Sequence, residues 1–220
     1  MFKKLMQRVL RLTSKQGAFD PSQFDDPVAM QTSWTPAKRG GANFRTHKLV
    51  EVNSYRLEFQ ASLGAKLFYL IFLLAGVGVL VGFSFTKLSS GAFSFDMDTI
   101  IPFGIGLIFA IAGGCLLYFG TTPIVFDKTQ GAFWKGRKTP GALSDSQALK
   151  HYAELDKIHA LQLISEYVRG DKSSYYSYEL NLVLENGDRI NIVDHGNENK
   201  LREDAKTLSA FLEKPVWDAI

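Results

Sequence analysis

Two stretches decide the fold: Leu67–Phe85, LFYLIFLLAGVGVLVGFSF, and Ile100–Phe119, IIPFGIGLIFAIAGGCLLYF. Neither contains Asp, Glu, Lys, Arg or His. At a helical rise of about 1.5 Å per residue, each covers roughly the 30 Å hydrocarbon core of a bilayer. The intervening Thr86–Thr99 is too short to be a domain, so the two stretches predict a transmembrane hairpin with an external loop at 86–99. Transporters and proton relays place ionisable groups at membrane depth. These spans have none, so they read as an anchor.

Working outward, the basic residues set the orientation. Lys48, Arg56 and Lys66 precede the first span, and Lys128, Lys135, Arg137 and Lys138 follow the second, while the loop holds only Lys87. Lys and Arg collect on the cytoplasmic side of short flanks, which puts both termini there. The chain has 220 residues and a formal net charge of +3, with eleven Lys/Arg against five Asp/Glu in residues 1–66. The segment from 121 onward is net acidic, which argues against a nucleic-acid partner. The one cysteine, Cys115, lies in the second span, where a thiol acts as a small apolar group.

Small residues recur at a four-residue step within the spans. Gly78 and Gly82 form a G-x-x-x-G with Gly76 nearby, and Gly106, Ala110 and Gly114 repeat the step. Such faces let helix backbones approach in lipid. The expectation is that they pack the hairpin on itself, and a leftover small face would serve a homo-oligomer.

At the amino terminus, residues 1–16 read as a basic amphipathic helix or tail. Phe2, Leu5, Met6, Val9 and Leu10 recur at helical spacing among Lys3, Lys4, Arg8 and Arg11. A surface helix on anionic lipid, a basic tail and a targeting presequence all fit this pattern. Residues 17–43, with Pro21, Pro27 and Pro36, read as a linker. Trp34 within it is either an interfacial anchor or a cover for the domain.

Beyond Gly120 the period switches from helical to alternating. Pro123–Asp127 and Gly131–Lys135 flank a turn, and Ile158–Val168 and Tyr175–Leu184 follow a polar stretch with a short helix expected near Asp145–Tyr152. Asn186-Gly187 then marks a hairpin into Arg189–Val193. A helix over 198–213 carries Leu201, Ala205, Leu208 and Leu212 on one stripe and stops before Pro215. Upstream, Phe44–Val52 and Tyr55–Ser62 add a candidate β-hairpin (44–62). Whether it joins the carboxy-terminal sheet is open. The expected class is therefore membrane α+β: a two-helix hairpin inserted in, or preceding, an antiparallel barrel or sandwich with a carboxy-terminal helix, the soluble domain running over 121–220.

Seven strands and a terminal helix form the inventory of a pleckstrin-homology-like (PH-like) domain. The element order resembles bacterial membrane-anchored PH-like proteins and, distantly, the photosystem I assembly proteins of thylakoid membranes. The resemblance rests on Ile101-Pro102-Phe103-Gly104, the F-D-K-x-x-G from Phe126 to Gly131, Leu155–Gln162, and the A-x-x-L-x-x-F-L-x-x-P ending within Ala205–Trp217. It implies a non-enzymatic scaffold or adaptor in a bacterial inner membrane that assists assembly of a membrane complex, with lipids and another membrane protein as partners. A lipid-responsive envelope-maintenance module is the alternative.

The residues themselves supply no catalytic pattern. His47, His151, His159 and His195 have no metal-ligand spacing, and no phosphate-binding, nucleophile-elbow or dinucleotide motif is present. No cofactor is expected. Glu154, Asp156 and Glu166 read as solvated acids, His159 as structural and His195 as a turn residue. The candidate binding residues are Lys3, Lys4, Arg8, Arg11, Lys135, Arg137 and Lys138, each placed to meet lipid headgroups.

Overall fold

Local turn chemistry fixes the strand register. In the computed structural model, which describes residues 19–91, 96–139, 151–170 and 173–220, Asn53 Oδ1 accepts from Tyr55 N–H at 2.9 Å. This folds β1 (His47–Asn53) onto β2 (Arg56–Ala61). Asp127 Oδ1 accepts from Thr129 and Gln130 N–H at 2.9 and 3.0 Å, and Gly131 takes φ +63°. A left-handed position suits glycine, and it turns β3 (Ile124–Asp127) into β4 (Ala132–Lys135). With β5 (Tyr152–Glu154) these strands form a five-stranded antiparallel meander in the order β1-β2-β3-β4-β5.

Alternation gives that sheet two faces. Phe59, Phe126 and Phe133 are fully buried on one, with ring centroids 4.9 Å apart for Phe126 and Phe133. Val125, Ala132 and Trp134 are buried on the other, beside Tyr152. Arg56 lies over the Trp134 ring at 5.4 Å and pairs with Glu58 and Asp127.

The long helices interrupt this sheet between its second and third strands. After a short helix α1 (Pro27–Gln31) earlier in the chain, α2 spans Leu63–Ser89 and α3 spans Met97–Gly120. Both are long and apolar enough to cross a membrane. Each starts on a side-chain cap. Ser62 Oγ accepts from Ala65 N–H at 3.1 Å, and Asp96 Oδ1 from Thr99 N–H at 3.0 Å. The helices extend past the expected spans at both ends, shortening the connection to residues 90–96.

The second unit comprises residues 19–41, 156–194 and 198–220. Its sheet has the order β8-β7-β6-β9, built from β6 (Ile158–Arg169), β7 (Ser174–Leu184), β8 (Arg189–His195) and β9 (Val216–Ala219). Gly187 at φ +82° makes the expected Asn-Gly turn. Helix α4 (Glu198–Leu212) packs on this sheet, burying Leu201, Ala205, Leu208 and Leu212 as the stripe predicts.

Several expectations are corrected. The strands form two open sheets rather than one closed barrel. The question left open for residues 44–62 is answered by β2, which pairs with β3 of the 121–220 segment, so the helical hairpin is inserted in that sheet, while the β6–β9 sheet is separate. Tyr152 opens a strand rather than ending a helix; the rest of the helix expected near 145–152, apart from His151, lies outside the described residues. The chain beyond Pro215 forms β9, parallel to β6. Arg202 holds that strand through Asp218 at 2.6 Å and the Ile220 carbonyl at 3.0 Å.

Residues 19–41 of the expected linker are packed against their sheet. Trp34 covers the domain, stacking on Phe24 at 5.4 Å and lying 5.9 Å from Trp217, with Nε1–H donating to the Ala29 carbonyl at 2.8 Å.

Candidate functional site

Three groupings of side chains stand out, one on the helical hairpin and its base, one on the face of the β6–β9 sheet, and one around two histidines. On the hairpin, α2 and α3 meet at Gly76, whose added Cβ would overlap the backbone of Gly106 and Ala110, and at Gly113, whose added Cβ would overlap the backbone of Leu73. Phe72 stacks on Phe109 at 5.8 Å and Phe83 meets Phe103 at 6.2 Å. Of the expected packing residues, Gly106 and Ala110 lie in this seam. Gly78, Gly82 and Gly114 do not: a Cβ at any of them meets nothing within 4 Å. The seam follows the phase of Gly76 and Gly113, so the G-x-x-x-G face points away from the partner helix.

At the hairpin's base the register gathers basic residues. Pairings His47 with Ala61, Phe59 with Ile124, and Ile124 with Lys135 place these positions at the sheet end from which α2 leaves and to which α3 returns. Arg45, His47, Lys48, Lys66, Lys135, Arg137 and Lys138 therefore share one end. Residues 42–50, 59–66, 118–126 and 133–139 contain no Asp or Glu. The acids of this sheet, Glu51, Glu58, Asp127 and Glu154, lie toward the other end.

Arg137 caps α3: it donates to the Tyr118 carbonyl at 2.9 Å, to Thr121 Oγ1 at 2.8 Å and to Thr122 Oγ1 at 3.3 Å, with its guanidinium 4.8 Å from the Tyr118 ring centroid. Lys138 is exposed and Lys135 half-buried. Lys3, Lys4, Arg8 and Arg11 lie outside the described residues.

The second grouping was not anticipated. On one face of the β6–β9 sheet, polar side chains grip the backbone of residues 32–41. Glu179, fully buried, accepts from Ala37 and Lys38 N–H at 2.8 and 2.9 Å, and from Asn181 Nδ2 at 3.1 Å. Glu166 accepts from Gly40 N–H at 3.1 Å and from Gly41 N–H at 3.3 Å. Arg189 and Gln162 donate to the Thr35 and Ser33 carbonyls at 2.8 and 3.0 Å, and Tyr175 to the Gly41 carbonyl at 2.9 Å. Glu166 is thus a strap anchor rather than a solvated acid. Burial leaves these carboxylates needing donors, and consecutive backbone N–H groups supply them. The only sequence hint was a polar second face on strands whose first face is Leu-rich.

The histidines divide between pairing and burial. His159 lies 2.7 Å from Asp26 Oδ2 and beside Trp217. His195 ends β8 with no exposed surface; its Nδ1 accepts from Asn197 N–H at 3.2 Å and its Nε2 has no hydrogen-bond partner among the described residues. Burial, then the Arg45 cation and His47, push the His195 ring down to about 4. Burial and Lys135 push His47 down to about 4 as well. Both rings are neutral at physiological pH. Among the described residues no three His, Cys, Asp or Glu side chains are grouped to hold a metal ion. Comparison with family models, curated proteins and solved structures finds no match for this chain.

Proposed function

We propose that the chain is a membrane-anchored scaffold whose two apolar helices cross the bilayer and hold its sheets at the cytoplasmic face, where they engage another component of a membrane complex. One observation carries this reading. Two long helices, free of ionisable groups over Leu67–Phe85 and Ile100–Phe119, grow from adjacent strands of a folded sheet and keep their apolar side chains exposed, Phe85 at 72% and Phe119 at 70%. A soluble protein covers such a surface. Lipid covers it here.

The connections are short: Ser62 alone separates β2 from α2, and Thr121–Pro123 separate α3 from β3. The anchor is therefore continuous with the sheet rather than tethered to it. With no ionisable lining, the hairpin holds position and moves nothing across. A PH-like kinship and a bacterial inner-membrane setting, which rest on the sequence resemblance, are part of the proposal.

The test is fractionation followed by crosslinking. The full chain should resist alkaline carbonate extraction, expose both termini to protease from the cytoplasmic side only, and yield a stoichiometric membrane partner after crosslinking in intact cells. Release by carbonate refutes the anchor, and repeated recovery of the chain alone refutes the scaffold.

A further inference from the structure

We infer that the basic end of the β1–β5 sheet is a docking surface for the anionic headgroups of the bilayer that the hairpin enters. This deepens the membrane-anchored reading and rests on it.

The register argument is the main support. Five strands and two helices bring Arg45, Lys48, Lys66, Lys135, Arg137 and Lys138 to one end, and residues 42–50, 59–66 and 133–139 contain no Asp or Glu. The sheet's own acids lie toward the opposite end. A charge separation along the strand axis, with the cations at the end to which both helices connect, suits a negatively charged plane at the hairpin's base. Lys48, Lys66 and Lys138 are exposed.

A second, independent layer lies between these cations and the apolar spans. Phe44 is 45% exposed and packs on Phe68 at 6.4 Å, while Tyr118 is 62% exposed under the Arg137 guanidinium. Along the hairpin the order is aliphatic, aromatic, basic. Hydrocarbon, interface and headgroup have that same order. Each cation close to an anionic leaflet contributes on the order of 1 kcal/mol, or about fivefold in a docking constant. The contribution fades beyond a Debye length.

The experiment uses the full chain in nanodiscs of phosphatidylcholine, with or without phosphatidylglycerol, and follows amide hydrogen exchange over residues 44–48 and 133–138. Phosphatidylglycerol should slow exchange there, and added salt should reverse the effect. The exposed triple variant K48Q/K66Q/K138Q should lose roughly 100-fold of the docking preference while matching the parent chain in neutral discs. Equal exchange in both lipid compositions overturns the inference, as does protection that persists in the triple variant. Protection produced in neutral discs by soluble glycerol phosphate would make this a phosphate pocket and also overturn it. A chain that enters neither disc refutes the anchored reading itself. A chain that enters both without lipid-dependent protection refutes the docking surface alone.

Discussion

Acid should loosen the end of β8 through His195. The ring is fully buried, its proton sits on Nε2 because Nδ1 accepts from Asn197, and that Nε2–H has no acceptor among the described residues. Burial, Arg45 and His47 lower its pKa from 6.5 to about 4, a difference worth roughly 3 kcal/mol between the two protonation states. The sign follows from linkage. Between those two values the unfolded ring binds a proton that the folded ring refuses, so stability rises with pH across the window and is flat above it. At about pH 5 the His195 contribution should already be about 2 kcal/mol below its neutral-pH value. His47, lowered to about the same value by burial and Lys135, adds a loss of similar size in the same direction.

A chain with two compact units and a helical hairpin does not melt as one transition, so the assay is local. Amide hydrogen exchange over β8 and β1 in the reconstituted chain should show opening free energies that fall as the pH drops from about 7 to about 5, after correction for intrinsic exchange. The variant His195→Gln, which keeps an acceptor for Asn197 N–H but cannot titrate, should retain only the His47 part of that fall, about half of it. A His195 ring titrating near 6.5 by NMR, or a slope unchanged in the variant, would falsify the reasoning.

Two further outcomes follow from packing and hydrogen bonding. Gly76→Leu or Gly113→Leu forces side chains into the opposing backbone and should destabilise the hairpin by about 1–3 kcal/mol or more, whereas Gly78→Leu and Gly82→Leu meet open space and should not; thermal aggregation of the detergent-solubilised chain separates the two sets. Glu179→Ala removes the acceptor for the Ala37 and Lys38 N–H groups and for the buried Asn181 Nδ2, at a cost of about 1–3 kcal/mol for the buried amide left unpaired. Tryptic cleavage after Lys38 and Arg39 should then accelerate, and unchanged cleavage would show that the strap is held by its other contacts.

What could be read in advance depended on the range of the interaction. The spans were legible because an uncharged run of helical length is a local property, and the turns at Lys128–Gly131 and Asn186-Gly187 because one or two residues determine them. The second grouping was illegible because Glu179 meets Ala37 across 142 positions. Nothing in a polar strand face states which distant backbone will supply its donors. The membrane glycines show the same limit at shorter range. Gly76 and Gly78 differ by two residues, about 200° around a helix, so one lies in the seam and the other faces away. The motif gives the spacing of a small face but not its phase against the partner helix.

The basic end of the β1–β5 sheet lies between these cases, and that is what gives it weight. Its cations are scattered from Arg45 to Lys138, and no window of sequence contains them together. Only the alternating direction of antiparallel strands converts their positions into one edge. β1 leaves that edge at His47, β2 returns to it at Ala61, β3 leaves at Ile124 and β4 returns at Lys135. In such a meander, a residue near the start of an odd strand and one near the end of an even strand share an edge. A random placement of the sheet's four acids would put some of them there. All four lie toward the other end, and among the described residues the edge that meets the hairpin carries its cations on β1, on β4 and on the segments beside them.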